Sequence, residues 1–180
     1  MREHLRLLAR YNLWATRVLF QHLDLLPEAD YRRDAGLFFR SVHGTLNHLL
    51  LAEHEFWYRR FAEGRSEPMA LDAEIEADRA ALRERLVDGA LAWLPLIDVW
   101  PESRLLGHLQ YHRSDGQAAE LPFAATLMHV FNHGTHHRGQ ITAALTALGW
   151  PCPEIDLVRM LAWEQEQMRE PAHEQEATKP

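Results

Sequence analysis

The segment from Phe123 to Leu148 repeats apolar side chains at intervals of three and four: Phe123, Leu127, Val130, Ile141, Ala144, Leu145 and Leu148. That spacing marks the face of an α-helix that turns toward a core. Within this stripe, positions 133 and 137 call for aliphatic groups and carry histidine instead. Residues four apart stand one turn above the other, so the two imidazoles share the inward face. Left unpartnered there, they would cost roughly a few kcal/mol. Two imidazoles at this spacing can reach one ion, as the paired histidines of helical zinc sites do. Paired histidines also occur on exposed helix faces, so the spacing alone leaves both readings open.

The rest of the chain is helical by the same test. Leu5, Leu8, Asn12, Ala15, Leu19 and His22 form one stripe over residues 2–25, which Pro27 ends. A turn-like stretch follows through Asp34 and Gly36. Residues 41–63 repeat Val42, Leu46, Leu49 and Phe56 until Gly64 and Pro68. Residues 71–94, rich in Ala, Leu, Glu and Arg, predict a third helix that stops at Pro95. Residues 103–121 surround Ser-Asp-Gly and predict a short β-hairpin or extended insertion, after which Pro122 opens the fourth long helix. That helix closes at Gly149. Pro153 starts a short last helix that ends before Pro171. The expected fold is all-α, a four-helix bundle, with residues 1–169 as one domain and 170–180 as a polar tail.

Charge and cysteine content narrow the function. Lys+Arg 19 against Asp+Glu 26 gives a net charge of −7, which speaks against nucleic acid or an anionic membrane as partner. One cysteine, Cys152, excludes an internal disulfide and a multi-cysteine zinc site, and is expected to pack as a small hydrophobe. No apolar run nears the ~18–20 residues of a membrane span, and the first residues lack a signal peptide's apolar core. A soluble, cytoplasmic protein is the expectation. The outlying count is histidine, twelve in 180 residues, several times the ordinary share, in a side chain that is the commonest metal ligand.

A catalytic ion needs a third protein ligand from another element. The second helix offers a small polar stripe of Thr45, His48, Ala52 and Glu55, which makes His48 the best third ligand; His43 and His54 lie on other faces. His129 and His108 are expected to be hydrogen-bonded core groups, or else to support the ligands from behind. His4, His22, His136 and His173 are expected on the surface. HExxH is absent. The one ExxH spacing, Glu170 to His173, has Pro171 inside it, so zincin and di-iron carboxylate sites are excluded. No G-x-S-x-G, P-loop or G-x-G-x-x-G occurs.

Three motifs then carry a family likeness: YNLWAT at 11–16, SVHGTLNHLLLAEHEFW at 41–57 and LMHVFNHGTHHRGQI at 127–141. In this order they resemble the DinB family of metal-binding bundle proteins, which is unrelated to the DNA polymerase sharing that name. YHRSDGQ at 111–117 is similar to the family's segment before its last long helix. The resemblance covers the chain to about residue 165. It implies a DinB/YfiT-like four-helix bundle, a homodimer, and a damage-inducible or stress-response setting. The family's ligand set, carried over by motif, is His48 in TLNH with His133 and His137 in NHGTHHRGQ, binding a divalent ion such as zinc or nickel.

A three-histidine ion keeps a position open for water, a thiol or substrate. Relatives in the wider superfamily resemble metal-dependent transferases and isomerases that use low-molecular-weight thiols. The preferred expectation is a transferase or hydrolase acting on a small molecule, thiol-dependent in one version. The alternatives are a non-catalytic metal-binding stress-response protein, or a structural module whose histidines bind nothing. No general acid or base is assigned. Tyr11, Trp14 and Glu55 are candidate pocket residues, against the plainer readings of core packing and an ion pair. Gln140 is a candidate support for His137, and Arg138 is expected to face a carboxylate. Tyr11, Trp14 and Phe20, or residues 91–97, would supply a dimer face unless they pack internally.

Overall fold

The structure, a computed structural model, describes residues 1–113 and 115–176, with residues 170–176 as backbone only. The expected stripe forms α1, Arg2–Leu23, and buries Leu5, Asn12, Ala15 and Leu19. Pro27 then caps a short helix that the sequence had suggested only as a turn, α2, Glu28–Arg32, which seats Tyr31 in the core. Ser41 caps α3, Val42–Leu50, its Oγ accepting the Gly44 N–H at 3.0 Å. The helix continues unbroken through a π-helical segment, Leu51–Tyr58, into α4, Arg59–Glu63, and ends at left-handed Gly64. The 41–63 helix is therefore present, but with a widened stretch that apolar spacing did not signal.

The third long helix departs most from expectation. It is α5, Arg79–Val99, starting eight residues later than predicted and running through Pro95. Buried Asn47 explains the late start. Its Oδ1 accepts the N–H groups of Ile75 and Glu76, both at 2.9 Å, and its Nδ2 donates to the Glu76 carbonyl at 3.0 Å. Those backbone groups are thereby withdrawn from any helix, and Asp78 becomes the cap, accepting from Ala81 N–H at 2.8 Å. Pro95 is tolerated because it is exposed, and the carbonyl it leaves without a donor belongs to Leu91, also on the exposed face.

After α6, Glu102–Leu105, the hairpin forms as predicted. Strands β1, His108–His112, and β2, Ala118–Pro122, pair antiparallel with His108 opposite Pro122 and His112 opposite Ala118. Gly116 supplies the left-handed turn residue; Ser114 of the predicted Ser-Asp-Gly turn lies outside the described residues. Pro122 is the cap rather than the first residue of α7, Phe123–Ala147. Gly149, at φ 77°, ends that helix, with Trp150 N–H on the Leu145 carbonyl at 2.9 Å and Gly149 N–H on Thr146 at 3.1 Å. The last helix, α8, Leu157–Glu176, begins after Pro153 and passes Pro171, so it is longer than expected and takes in part of the predicted tail. His173 and the other tail side chains lie outside the described residues.

In the bundle, α1 packs against α5 and α7, and α3 with its π segment packs against the same two helices. The core is split in two. Toward the hairpin, Leu5, Phe61, Trp93, Ile97, Phe123 and Phe131 form one apolar cluster. Toward α2, Leu19, Leu23, Tyr31, Leu46, Leu82 and Ile141 form another. Between them lies a polar waist of Asn12, Glu53, His54 and Arg138, with Gly89 and Gly134 facing it. Among the described residues, no helix is long and apolar enough to cross a membrane.

Candidate metal centre

His48 comes from α3, and His133 and His137 from successive turns of α7. Their Nε2 atoms converge: His48 to His133 is 3.3 Å and His133 to His137 is 3.1 Å. One ligand atom from each lies within 4.8 Å of the others. Two nitrogens held at about 2.0–2.1 Å from a tetrahedral ion would stand about 3.3 Å apart, so the spacing suits one ion. The other ring nitrogens fix the tautomers. His48 Nδ1 lies 2.9 Å from the Leu71 carbonyl, which can only accept, so it carries the proton and Nε2 carries the lone pair. His137 Nδ1 meets Gln140 Oε1 at 2.8 Å with the same effect. His133 Nδ1 is buried without a partner. Burial, reinforced by the neighbouring imidazoles, pushes His133 down to about 3. Burial also takes His137 down to about 4 and lowers His48. Three neutral imidazoles with converging lone pairs are the donor set a divalent ion requires.

Two loops complete the walls. Phe39 stacks on the His48 ring, centroids 3.8 Å apart at 15°, and lies 5.7 Å from His137. It is presented by a turn in which Arg40 adopts φ 67°. The loop after α4 contributes the Leu71 carbonyl. Neither contact carries a sequence signature, since one is a packing aromatic and the other a backbone oxygen.

The remaining sequence expectations divide. Gln140 supports His137 as expected and also approaches His136 at 3.2 Å. Arg138 lies near a carboxylate, Glu53, which it reaches through Asn12, and is buried at 1% exposure. His129 and His108 are exposed, not core groups; His129 leans over the site with its ring 5.8 Å from His133. Tyr11 and Trp14 pack with Met160 of α8, and Tyr11 Oη donates to the Ile155 carbonyl at 2.7 Å, so neither forms part of the triad's wall. Glu55 pairs with Arg59 at 2.8 Å and Arg85 at 3.2 Å. Cys152 is exposed rather than packed, on the rim of an 810 Å³ cavity between α1 and α8 that also meets Trp14 and Trp163. Of the expected dimer faces, Tyr11, Phe20, Trp93 and Ile97 are buried within the bundle while Leu91 is exposed.

Sequence reading missed the polar waist as a unit, although it had placed Asn12 on the apolar stripe of α1. Asn12 Nδ2 donates to Glu53 Oε2 at 3.0 Å, and Arg138 donates to Asn12 Oδ1 at 2.6 Å. Burial pushes the Glu53 carboxyl up while the Arg138 charge opposes the shift. A β-carbon on Gly134 would fall 2.3 Å from Glu53 Oε1, so glycine there lets the carboxylate lie against α7 beside His133.

Comparison with known proteins gives a consistent picture. The model of the DinB family matches residues 1–172. Protein DinB of Bacillus subtilis (strain 168) is 27% identical over 153 residues, which is 83% of this chain and 88% of that protein. Among solved structures, YfiT from Bacillus subtilis, described as a probable metal-dependent hydrolase with an unusual four-helix bundle topology, superposes with a TM-score of 0.65 at 18% identity, covering 84% of this chain and 91% of that one.

Proposed function

The chain belongs to the DinB family, and on that footing we propose that it is a metal-dependent transferase or hydrolase of small molecules, with His48, His133 and His137 holding a zinc or nickel ion. The observation that carries this reading is the convergence of three Nε2 atoms, two of them with their tautomers fixed from behind. An ion in such a set supplies Lewis acidity at an open position, easing loss of a proton from a water or a thiol there. The chain's own residues do the rest. Leu71 and Gln140 orient two imidazoles, and Phe39 covers the His48 ring against water. A low-molecular-weight thiol is the proposed cosubstrate, and the proposed assembly is a homodimer, to be read by sedimentation.

The test is metal content by elemental mass spectrometry on untagged protein, wild type beside His48→Ala, His133→Ala and His137→Ala. About one ion per chain, lost in each variant, is the expected result. A wild type that neither retains nor takes up zinc or nickel would overturn the reading.

A further inference from the structure

Two arginines are buried, Arg60 at 8% exposure and Arg138 at 1%. Arg138 has Glu53. Arg60 has no carboxylate: among the described residues, no Asp or Glu oxygen comes within 4.0 Å of its guanidinium. Its Nε donates to Ser66 Oγ at 3.0 Å. Among the described residues its two terminal nitrogens have no hydrogen-bond partner, yet they are not among the sealed polar atoms, so solvent reaches them. The cation sits instead among three rings, its Cζ 5.2 Å from Phe56, 4.9 Å from Trp57 and 4.7 Å from Tyr111. Ring faces attract a guanidinium but do not satisfy its N–H groups, which leaves the fork of terminal donors available for a carboxylate or phosphate. Holding a largely buried cation without a counter-charge is costly in any protein, and in a chain of net charge −7 carboxylates are plentiful. The missing partner therefore points to an anion that arrives from outside.

The position connects this cation to the triad. Trp57 lies in the π-helical segment of the helix that carries His48. Its ring is 5.7 Å from His129, whose ring is 5.8 Å from His133. Trp57 thus neighbours both Arg60 and Tyr111 and, through His129, the rim of the histidine cluster.

We propose that Arg60 is an oxyanion-binding residue, and that the small molecule handled at the triad carries a carboxylate or phosphate which this guanidinium holds. The second half rests on the metal-centre reading; the first does not. The first measurement is therefore made on metal-free protein. Inorganic phosphate and succinate are titrated at low ionic strength while the Arg60 Nε–Hε resonance, assigned by its loss in Arg60→Lys, is followed by NMR. A saturable shift with either oxyanion but not with chloride is expected, the affinity falling on the order of tenfold or more in Arg60→Met. A shift that only drifts with salt, in wild-type protein, overturns the proposal without reference to any variant's folding. The second measurement uses protein loaded with cobalt(II) or zinc and reads phosphorus relaxation of added phosphate. Faster relaxation with cobalt that disappears in Arg60→Met supports a shared substrate site. Binding at Arg60 without cobalt-dependent relaxation, or relaxation that survives Arg60→Met, overturns that half. Metal content, read separately, shows whether the triad itself has failed.

Discussion

His54 has neither ring nitrogen hydrogen-bonded, and a β-carbon on Gly89 would fall 2.3 Å from its ring. Burial, with the Arg85 charge adding to it, pushes this histidine down to about 4. The folded protein thus takes up the His54 proton less readily than the unfolded chain, whose histidines titrate near 6.5. Its contribution to stability is complete above pH 6.5 and is lost as pH falls toward 4, at no more than about 1.4 kcal/mol per pH unit. Urea midpoints should therefore drop between pH 7 and pH 4.5, and less steeply in His54→Leu; equal slopes would remove His54 as the cause. Gln140 acts on the site through His137. In Gln140→Leu the imidazole is free to change tautomer, and metal affinity measured against a competing chelator should fall about 10–100-fold with the melting temperature little changed. His133 and His137 were legible because a helix stripe makes an out-of-place side chain visible. Phe39 and the Leu71 carbonyl were not, because loop geometry decides what a loop atom touches.

At the scale of elements, α7 is fastened to α1 and the π segment by two buried opposite charges, Arg138 and Glu53, bridged by Asn12 in the middle of the bundle. Removing one member should be far worse than removing both. Arg138→Met leaves Glu53 buried and uncompensated, and is expected to cost about 3–5 kcal/mol in urea denaturation. Adding Glu53→Gln to it should recover a large part of that loss; a double variant as unstable as the sum of the singles would contradict a coupled pair. Helix existence was legible throughout because periodicity and caps agree. The α5 boundary was not, since 71–78 has helical composition, and side chains distant in sequence, Asn47 with His48 and Arg85, hold its backbone groups out of a helix. Propensity is a local signal, and the competing bonds are not local. The same holds for the π segment, whose extra residue per turn is absorbed without any change in residue type.

Across the whole molecule, the triad draws on α3, α7 and two loops, and among the described residues takes nothing from α8. That helix meets the body through Met160 and the Arg10–Glu164 ion pair at 3.0 Å, with the Tyr11–Ile155 hydrogen bond just before it, and leaves Val158, Trp163 and Met168 exposed. A chain ending at Glu154 should therefore bind metal at about one ion per chain by elemental mass spectrometry, with a lower melting temperature; loss of the ion would show that α8 supports the site from a distance. The bundle architecture and the ligand-bearing helices were legible from the sequence, whereas the division into two cores was not, because it depends on which polar residues of three different helices come level. The waist also bears on how the helices can misassemble. Greasy bundles can slip, one helix shifting by a turn of about 5.4 Å and finding new apolar neighbours nearly as good. Here a slip of α7 by one turn would drive the Arg138 guanidinium into hydrocarbon and part it from Glu53. The hydrophilic layer therefore works as an axial stop, and the alignment of His133 and His137 with His48 is kept by a mismatch the chain cannot tolerate.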